Sequence, residues 1–146
     1  MNTMPSGFRP LVLDDPVFDA LAPIYFRIEK GWRLVMGFHI DAQHCNGRGN
    51  CHGGVWATFA DVLMGLSVGS VTGLSGPTIS LGLHYLAPAA EGDWVEGRSD
   101  IQGFTDKTGF DECTFKVGCE PVVHASGVFT RRFPPHNAIA ELIGKE

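Results

Sequence analysis

Residues 53–76 carry a single charged side chain, Asp61, in a run of 24 residues that is otherwise apolar or small. Apolar residues recur with helical spacing over 53–71 and lie almost all round the helix, as in a helix surrounded by protein. A carboxylate in such a helix loses hydration unless it is paired or used in chemistry. The run therefore predicts a buried helix with Asp61 as a functional candidate, the alternative being a carboxylate satisfied by backbone or threonine partners.

The same run is long enough to cross a bilayer, so a membrane span has to be considered. Its content of Gly, Ser and Thr, the central Asp61 and the turn residues at 72–77 favour the core helix of a soluble protein. We therefore predict no membrane association.

The size and charge of the chain indicate one ordinary domain. With 146 residues it is too short for two full domains. We expect one domain over 1–146, with a core at about 16–133 and peripheral segments at 1–15 and 134–146. The net charge of −5, without a block of basic residues, gives no reason to expect a nucleic acid partner. The first 20 residues lack the apolar run of a signal peptide, which predicts a cytoplasmic location and reduced cysteines.

Alternating apolar residues predict strands on both sides of the helix. A hairpin is expected over 24–40 with its turn at Lys30-Gly31, and an inward strand face is expected to hold Cys113 and Cys119. Short connections predict that the four later strands pair in sequence order as a meander. The economical arrangement is an α+β fold, in which a curved antiparallel sheet of five to six strands wraps one long buried helix. The four later strands are expected at 77–85, 94–104, 109–120 and 121–132.

Two rows of side chains on the predicted helix differ in size. The row of large residues is Val55, Phe59, Val62 and Leu66. The row of small residues leaves a shallow groove, which could hold a thin substrate or allow close packing against a sheet or a partner helix. Both interpretations stay open. The small row recurs every four residues as Gly53, Ala57, Asp61, Gly65 and Gly69.

The start of the helix is a second candidate site. The first N–H groups of a helix have no partner within it and lie at the positive end of its dipole, which suits a carbonyl oxygen or an oxyanion. Gly53 and Gly54 let a ligand approach this backbone. Asp61 lies eight residues further on, about 12 Å along the axis, too far to serve a carbon held at the start of its own helix. Two copies with antiparallel helices could bring Asp61 of one chain near Gly53 of the other.

Motif spacing adds a resemblance to a known family. Asn46 is followed six residues later by His52-Gly53-Gly54, and Asp61 lies nine residues after the histidine. Pro77-Thr78 opens a segment that ends in Tyr85-Leu86-Ala87-Pro88. Over about 16–133, these features resemble the hotdog-fold acyl-CoA thioesterases of the phenylacetate-pathway type, within the 4-hydroxybenzoyl-CoA thioesterase superfamily.

The resemblance implies hydrolysis of an acyl-CoA thioester in a site at a dimer interface. Asp61 would act as general base or nucleophile, and the Gly53 N–H would polarise the thioester carbonyl with help from His52. Asn46 and Thr78 match family positions that orient the water, the carbonyl or the carboxylate. No metal or organic cofactor is implied, and the expected assembly is a homodimer or a homotetramer. The residues expected to contact substrate are Gly54, Trp56, Ala57 and Gly65.

Two other functions on the same fold stay open. A non-catalytic acyl-CoA-binding protein would differ only in how the groups align. A hydratase or dehydratase fits less well, because that family usually has a histidine soon after the aspartate and residues 62–83 contain none. Cys45 and Cys51 lie near three histidines, but their spacing matches no common zinc site, so no metal site is predicted.

Overall fold

The computed structural model describes residues 3–137, 139 and 140. Helix α1 spans Pro16–Asp19 and helix α2 spans Gly53–Thr72, and a short 3-10 helix lies at Ala42–His44. The strands are β1 (Arg9–Pro10), β2 (Tyr25–Glu29), β3 (Arg33–His39), β4 (Thr78–Tyr85), β5 (Trp94–Phe104), β6 (Thr108–Val117) and β7 (Glu120–Thr130).

The strands form one antiparallel sheet with the order β1-β2-β3-β5-β6-β7-β4. The sheet therefore has seven strands in place of the predicted five to six, because Arg9–Pro10 adds a short strand beside β2. The predicted meander is correct for β5, β6 and β7 and wrong for β4, which pairs with β7 at the far edge while β5 pairs with β3.

The connection between β4 and β5 explains this difference. The eight residues 86–93 span about 26 Å when extended, whereas the three strand spacings from β4 back to β5 amount to about 14 Å. The connection is thus long enough to cross the end of the sheet. Helix α2 connects β3 to β4 and packs on the sheet, contacting β3, β4, β5, β6 and β7.

The core lies between α2 and the sheet. Of the predicted row of large residues only Phe59 is fully buried, whereas Val55, Val62 and Leu66 remain half-buried. Since α2 is apolar all round, its sequence does not indicate which face the sheet covers. Each fully buried large side chain contributes about 1.5–3 kcal/mol to folding. The face that packs on the sheet is formed by Trp56, Phe59, Ala60, Leu63, Met64 and Val68.

Glycines in the sheet allow α2 to approach closely. A Cβ at Gly97 would overlap the ring of Phe115, and one at Gly109 would lie 2.6 Å from Val68. Because Gly97 and Gly109 have no side chains, the helix can lie close to the sheet and no cavity opens between them.

Other details differ locally from the prediction. Cys113 is buried as expected, but Cys119 is exposed because it lies in the turn after β6, beside Gly118 with φ of 59°. Phe8 and Leu11 are buried, so part of the segment expected to be peripheral packs on the core. Of the second peripheral segment, residues 138 and 141–146 lie outside the described residues.

Helix α2 has the length and composition of a membrane span, with a mean hydropathy of 1.4. The core helix of a globular domain meets the same test, and half of the apolar window of α2 is buried within the protein. Its packing on five strands accounts for its apolar character.

Candidate functional site

The backbone N–H groups at the start of α2 differ in whether they have a hydrogen-bond acceptor. His52 is the N-cap residue, and its Nδ1 accepts the Gly54 N–H at 2.9 Å. Its carbonyl oxygen accepts the N–H groups of Val55 and Trp56. The Gly53 N–H has no acceptor among the residues that the structure describes. One first-turn donor is thus left for a ligand, at the position the resemblance assigned to the thioester carbonyl.

The glycines explain how His52 reaches this position. A Cβ at Gly54 would lie 3.2 Å from His52 Nδ1, so a larger residue would crowd the ring that folds back on the helix. Because Nδ1 accepts a hydrogen bond, the neutral ring carries its proton on Nε2. His52 therefore caps the helix and keeps a second donor on its exposed side.

Tyr85 is part of this arrangement, and the sequence analysis did not identify it as a site residue. Its hydroxyl donates to the Gly53 carbonyl oxygen at 2.9 Å, across 32 positions of sequence. A Cβ at Gly53 would lie 3.3 Å from the same hydroxyl. The aromatic residue before Leu86-Ala87-Pro88 was visible in the sequence, but its contact depends on β4 passing over the start of α2.

The loop before the helix places Asn46 beside Gly53. Asn46 Oδ1 accepts the N–H groups of Arg48 and Asn50 at 2.9 and 3.3 Å, which holds the loop closed on itself. Its Nδ2 donors find no acceptor within the described part of the chain, so they remain for a ligand. Asn46, Arg48, Gly53, Trp56 and Tyr85 line one cavity of about 410 Å³. Trp56 is only 3% exposed, so it is chiefly a core residue.

Asp61 lies in a second cavity, about 330 Å³ in volume, lined also by Gly65 and Thr78. The Thr78 hydroxyl donates to Asp61 Oδ1 at 2.5 Å, across the gap between β4 and α2. Asp61 is half-buried, and no Lys or Arg of the described ranges forms an ion pair with it. The Thr78 hydroxyl thus orients the carboxylate, and the second carboxylate oxygen has no hydrogen-bond partner among the described residues.

A single chain therefore brings the predicted residues together in groups. Asp61, Thr78 and Gly65 share one cavity, and Asn46, Gly53 and Trp56 share another. His52 and Gly54 border an apolar cavity of about 570 Å³ next to α1. Ala57 is half-buried on α2 between the two groups. In residues 3–137, 139 and 140, no three His, Cys, Asp or Glu side chains are arranged to hold a metal.

Comparison with known sequences identifies the family. The sequence pattern of the family described as the thioesterase superfamily matches residues 48–118. A Pseudomonas aeruginosa protein named as a putative esterase is 33% identical over 131 residues, covering 88% of this chain and 98% of that protein. The chain belongs to the thioesterase superfamily. The matched residues of this superfamily member include Gly53, Asp61 and Thr78, and Asn46 lies just before them.

Solved structures share the fold of this thioesterase-superfamily chain. The Escherichia coli PaaI protein from the phenylacetic acid degradation operon is similar with a TM-score of 0.73 and 22% identity, over 84% of this chain and 88% of that chain. A hypothetical thioesterase from Streptococcus pneumoniae, solved with coenzyme A, has a TM-score of 0.75 and 20% identity, over 81% and 92% of the two chains. These similarities confirm the predicted hotdog fold and its α+β class.

Proposed function

We propose that the protein hydrolyses an acyl-CoA thioester to the free acid and coenzyme A, in a site shared by two copies of the chain. The observation that carries the proposal is the unpaired Gly53 N–H, the one first-turn donor of α2 without an acceptor in the described residues. It borders a cavity large enough for a thin acyl thioester. Membership of the thioesterase superfamily supports the same reaction class.

The reaction needs a polarised carbonyl and a base. In the proposed mechanism the thioester oxygen accepts the Gly53 N–H, with the outer Nε2–H of His52 or an Asn46 Nδ2–H as further donors. Asp61 takes a proton from water, whose oxygen attacks the carbonyl carbon, or attacks that carbon itself. The carbon–sulfur bond then breaks and the coenzyme A thiolate leaves. Because a thiolate is a good leaving group, a carboxylate and an oxyanion donor suffice without a Ser-His-Asp triad.

Two chains are required because of the distance along α2. Gly53 and Asp61 are eight residues apart, about 12 Å, and they border different cavities. A second copy with its helix antiparallel would place its own Asp61 and Thr78 opposite Gly53. We therefore propose that the functional unit is a homodimer; a homotetramer stays an expectation from the resemblance alone.

Strand β4 supports the proposed dimer. It lies at the edge of the sheet and leaves its outer backbone groups for another strand. Ile79 on this strand is 57% exposed and Tyr85 is 58% exposed. The neighbouring face of α2, with Val62 and Leu66, is only half-buried in one chain. Pairing of β4 with β4 of a second copy would cover this apolar surface and join the two cavities.

Two observations favour a coenzyme A thioester as the substrate class. The solved Streptococcus pneumoniae structure of the same fold contains coenzyme A. Arg48 lines the cavity next to Gly53 and brings a positive charge to its rim, where it could meet a phosphate group.

The proposal is tested with a panel of acyl-CoA thioesters, from short aliphatic to phenylacetyl, hydroxybenzoyl and long-chain. Loss of the thioester is followed by ultraviolet absorbance, because the four thiols of the protein would react with a thiol dye. We expect turnover of one acyl class, and a loss of about 100-fold or more in kcat for Asp61→Asn. Asp106→Asn, which removes an exposed loop carboxylate, is the matched control and should keep full activity.

One result would reject the proposed reaction, and another would reject Asp61 as its base. Binding of acyl-CoA without turnover of any member would favour the non-catalytic binder. Unchanged turnover in a folded Asp61→Asn variant would show that another group activates the water. Circular dichroism of both variants establishes that they are folded.

A further inference from the structure

Cys45 and Cys51 lie directly opposite each other across the base of the loop that holds Asn46 and Arg48. The two residues form an isolated antiparallel β-bridge. The Asn46 N–H donates to the Asn50 carbonyl at 2.8 Å, and the His52 N–H donates to the His44 carbonyl at 2.8 Å. These bonds flank the bridge, so Cys45 and Cys51 form a non-hydrogen-bonded pair.

This type of pair brings two side chains closest together. Directly opposed residues of a non-hydrogen-bonded pair have Cα atoms about 4.5 Å apart and side chains on the same face. Disulfides span Cα distances of about 4.4–6.8 Å, so the backbone already has a suitable spacing. Cys51 is 7% exposed and belongs to the core, and the half-buried Cys45 packs against the same core, which agrees with a shared face.

We propose that Cys45 and Cys51 form a reversible disulfide that closes the loop next to the start of α2. The loop begins one residue after Cys45 and ends one residue before Cys51, and His52 and Gly53 follow at once. Oxidation would tie the two ends of the loop and restrain Asn46 and Arg48. The inference concerns the thiols and does not depend on the reaction that the site catalyses.

The cross-link needs an oxidant, for which a small-molecule disulfide is sufficient. The Cys45 thiolate attacks one sulfur of this disulfide, forming a mixed disulfide and releasing one small thiolate. The Cys51 thiolate then attacks the Cys45 sulfur and releases the second. Two protein thiols are oxidised, one small disulfide is reduced, and the two protons end on the released thiols.

The environment of the two thiols sets the order and speed of these steps. Burial raises the pKa of Cys51 to about 12, with a further contribution from the nearby Cys45. Burial also raises the pKa of Cys45, and the carboxylates of Glu91 and Asp41 add to the shift. Exchange therefore begins at the more accessible Cys45, is slow at neutral pH and becomes faster as the pH rises. The Cys45 thiol, which now donates to the Asp41 carbonyl at 3.4 Å, has to turn toward Cys51.

The test treats the full-length protein with oxidised glutathione at about pH 8.5, blocks free thiols and maps tryptic peptides. Trypsin cuts after Arg48, between the two cysteines, so a disulfide leaves residues 34–48 joined to residues 49–98. We expect this linked pair in the wild type and in Cys119→Ser, which removes the exposed thiol. The linked pair should disappear with dithiothreitol and be absent from Cys45→Ser. Cys51→Ala, which keeps a small apolar side chain in the core, should also lack it.

A second measurement addresses the loop itself. Amide hydrogen exchange over residues 46–50 should slow by roughly tenfold or more in the oxidised protein and return on reduction. The proposal is overturned if Cys45 and Cys51 stay free in the folded protein or if each carries glutathione without joining. It is also overturned if Cys45 joins Cys119, or if the link forms only with loss of the native circular dichroism.

Discussion

Single residues at the start of α2 determine which backbone donor is left for a ligand. His52 uses its ring for the Gly54 N–H and its carbonyl for the next two donors, while Tyr85 binds the Gly53 carbonyl oxygen. Of the first-turn N–H groups of α2, only that of Gly53 lacks an acceptor among the described residues. The Gly53 N–H shares its peptide plane with the His52 carbonyl group, which the N–H groups of Val55 and Trp56 hold in place. The free donor therefore points in a fixed direction, which is the condition for stabilising an oxyanion.

Removal of this single donor is the first prediction. Gly53→Pro deletes the N–H, and proline suits the first position of a helix. His52 already has the extended backbone that precedes proline, with φ of −66° and ψ of 139°. We expect kcat to fall by about 10²–10³-fold while the fold is kept. Gly53→Ala is the matched control, because it keeps the N–H and places a similar carbon against Tyr85. Equal activity of the two variants would exclude the Gly53 N–H from the reaction.

Some of these site residues could be predicted from the sequence and others could not. Asp61 was predicted from its isolation in an uncharged helix. Asn46, His52 and Thr78 were implied only by the resemblance to the thioesterase family, Thr78 at a position that contacts the water or the carboxylate. The Thr78–Asp61 hydrogen bond agrees with that expectation. Tyr85 could not be assigned, since its contact joins residues 32 positions apart and depends on where β4 crosses α2.

At the scale of elements, α2 has one face on the sheet and one face of small residues left open. A Cβ at Gly65 on the open face would meet Phe129 at an ordinary 3.5 Å. A Cβ at Gly97, on the sheet beneath the helix, would overlap the ring of Phe115 and lie 3.0 Å from Leu63. Glycine is thus explained differently at the two positions. At Gly97 it allows close packing within the chain, and at Gly65 it leaves a groove open.

The second prediction compares these two glycines. Gly65→Ala should leave the free energy of unfolding, measured with urea, unchanged or raise it by up to about 1 kcal/mol, because alanine favours the helix. It should also lower kcat/KM or weaken self-association, since the methyl group lies beside Asp61 in the groove. Gly97→Ala should destabilise the fold by about 1–3 kcal/mol through overpacking. A fully active and normally associated Gly65→Ala protein would show that nothing occupies the groove.

The order of elements explains why the sheet could be predicted only in part. Periodicity located β2 to β7 within a few residues, because alternation of apolar side chains is a local signal. The pairing of β4 with β7 is not local, since it depends on the connection at 86–93 being long enough to cross the sheet. The face of α2 that packs on the sheet could not be predicted either, because apolar residues lie all round the helix.

At the scale of the whole molecule, a buried carboxylate links stability to pH. Asp111 of β6 is 2% exposed and accepts the Ser99 hydroxyl at 2.9 and 2.7 Å through its two oxygens. Burial raises its pKa from 3.8 to about 7, with a small further rise from Asp100. Hydrogen bonds from Ser99 and from the N–H groups of Glu112 and Asp100 oppose this shift.

The third prediction follows from that raised pKa. Between about pH 4 and pH 7 the folded protein holds a proton on Asp111 that the unfolded chain has released. Stability should therefore be highest at the acid end of this window and fall by about 2–4 kcal/mol as the pH rises through it. Asp111→Asn should flatten this slope in urea unfolding, whereas Asp100→Asn, on the exposed side, should keep it. An unchanged slope in Asp111→Asn would assign the pH dependence to other groups.

The central claim, a site built by two chains, is tested most directly by mixing two inactive variants. Asp61→Asn and Gly53→Pro chains with different affinity tags are expressed together, and the mixed dimer is purified through both tags. In a shared site one of the two sites of the mixed dimer has both Asp61 and Gly53 intact, so turnover of the acyl-CoA substrate should recover to about half that of the wild-type dimer. A mixed dimer as inactive as either parent would contradict the shared site and place both groups of each site in one chain.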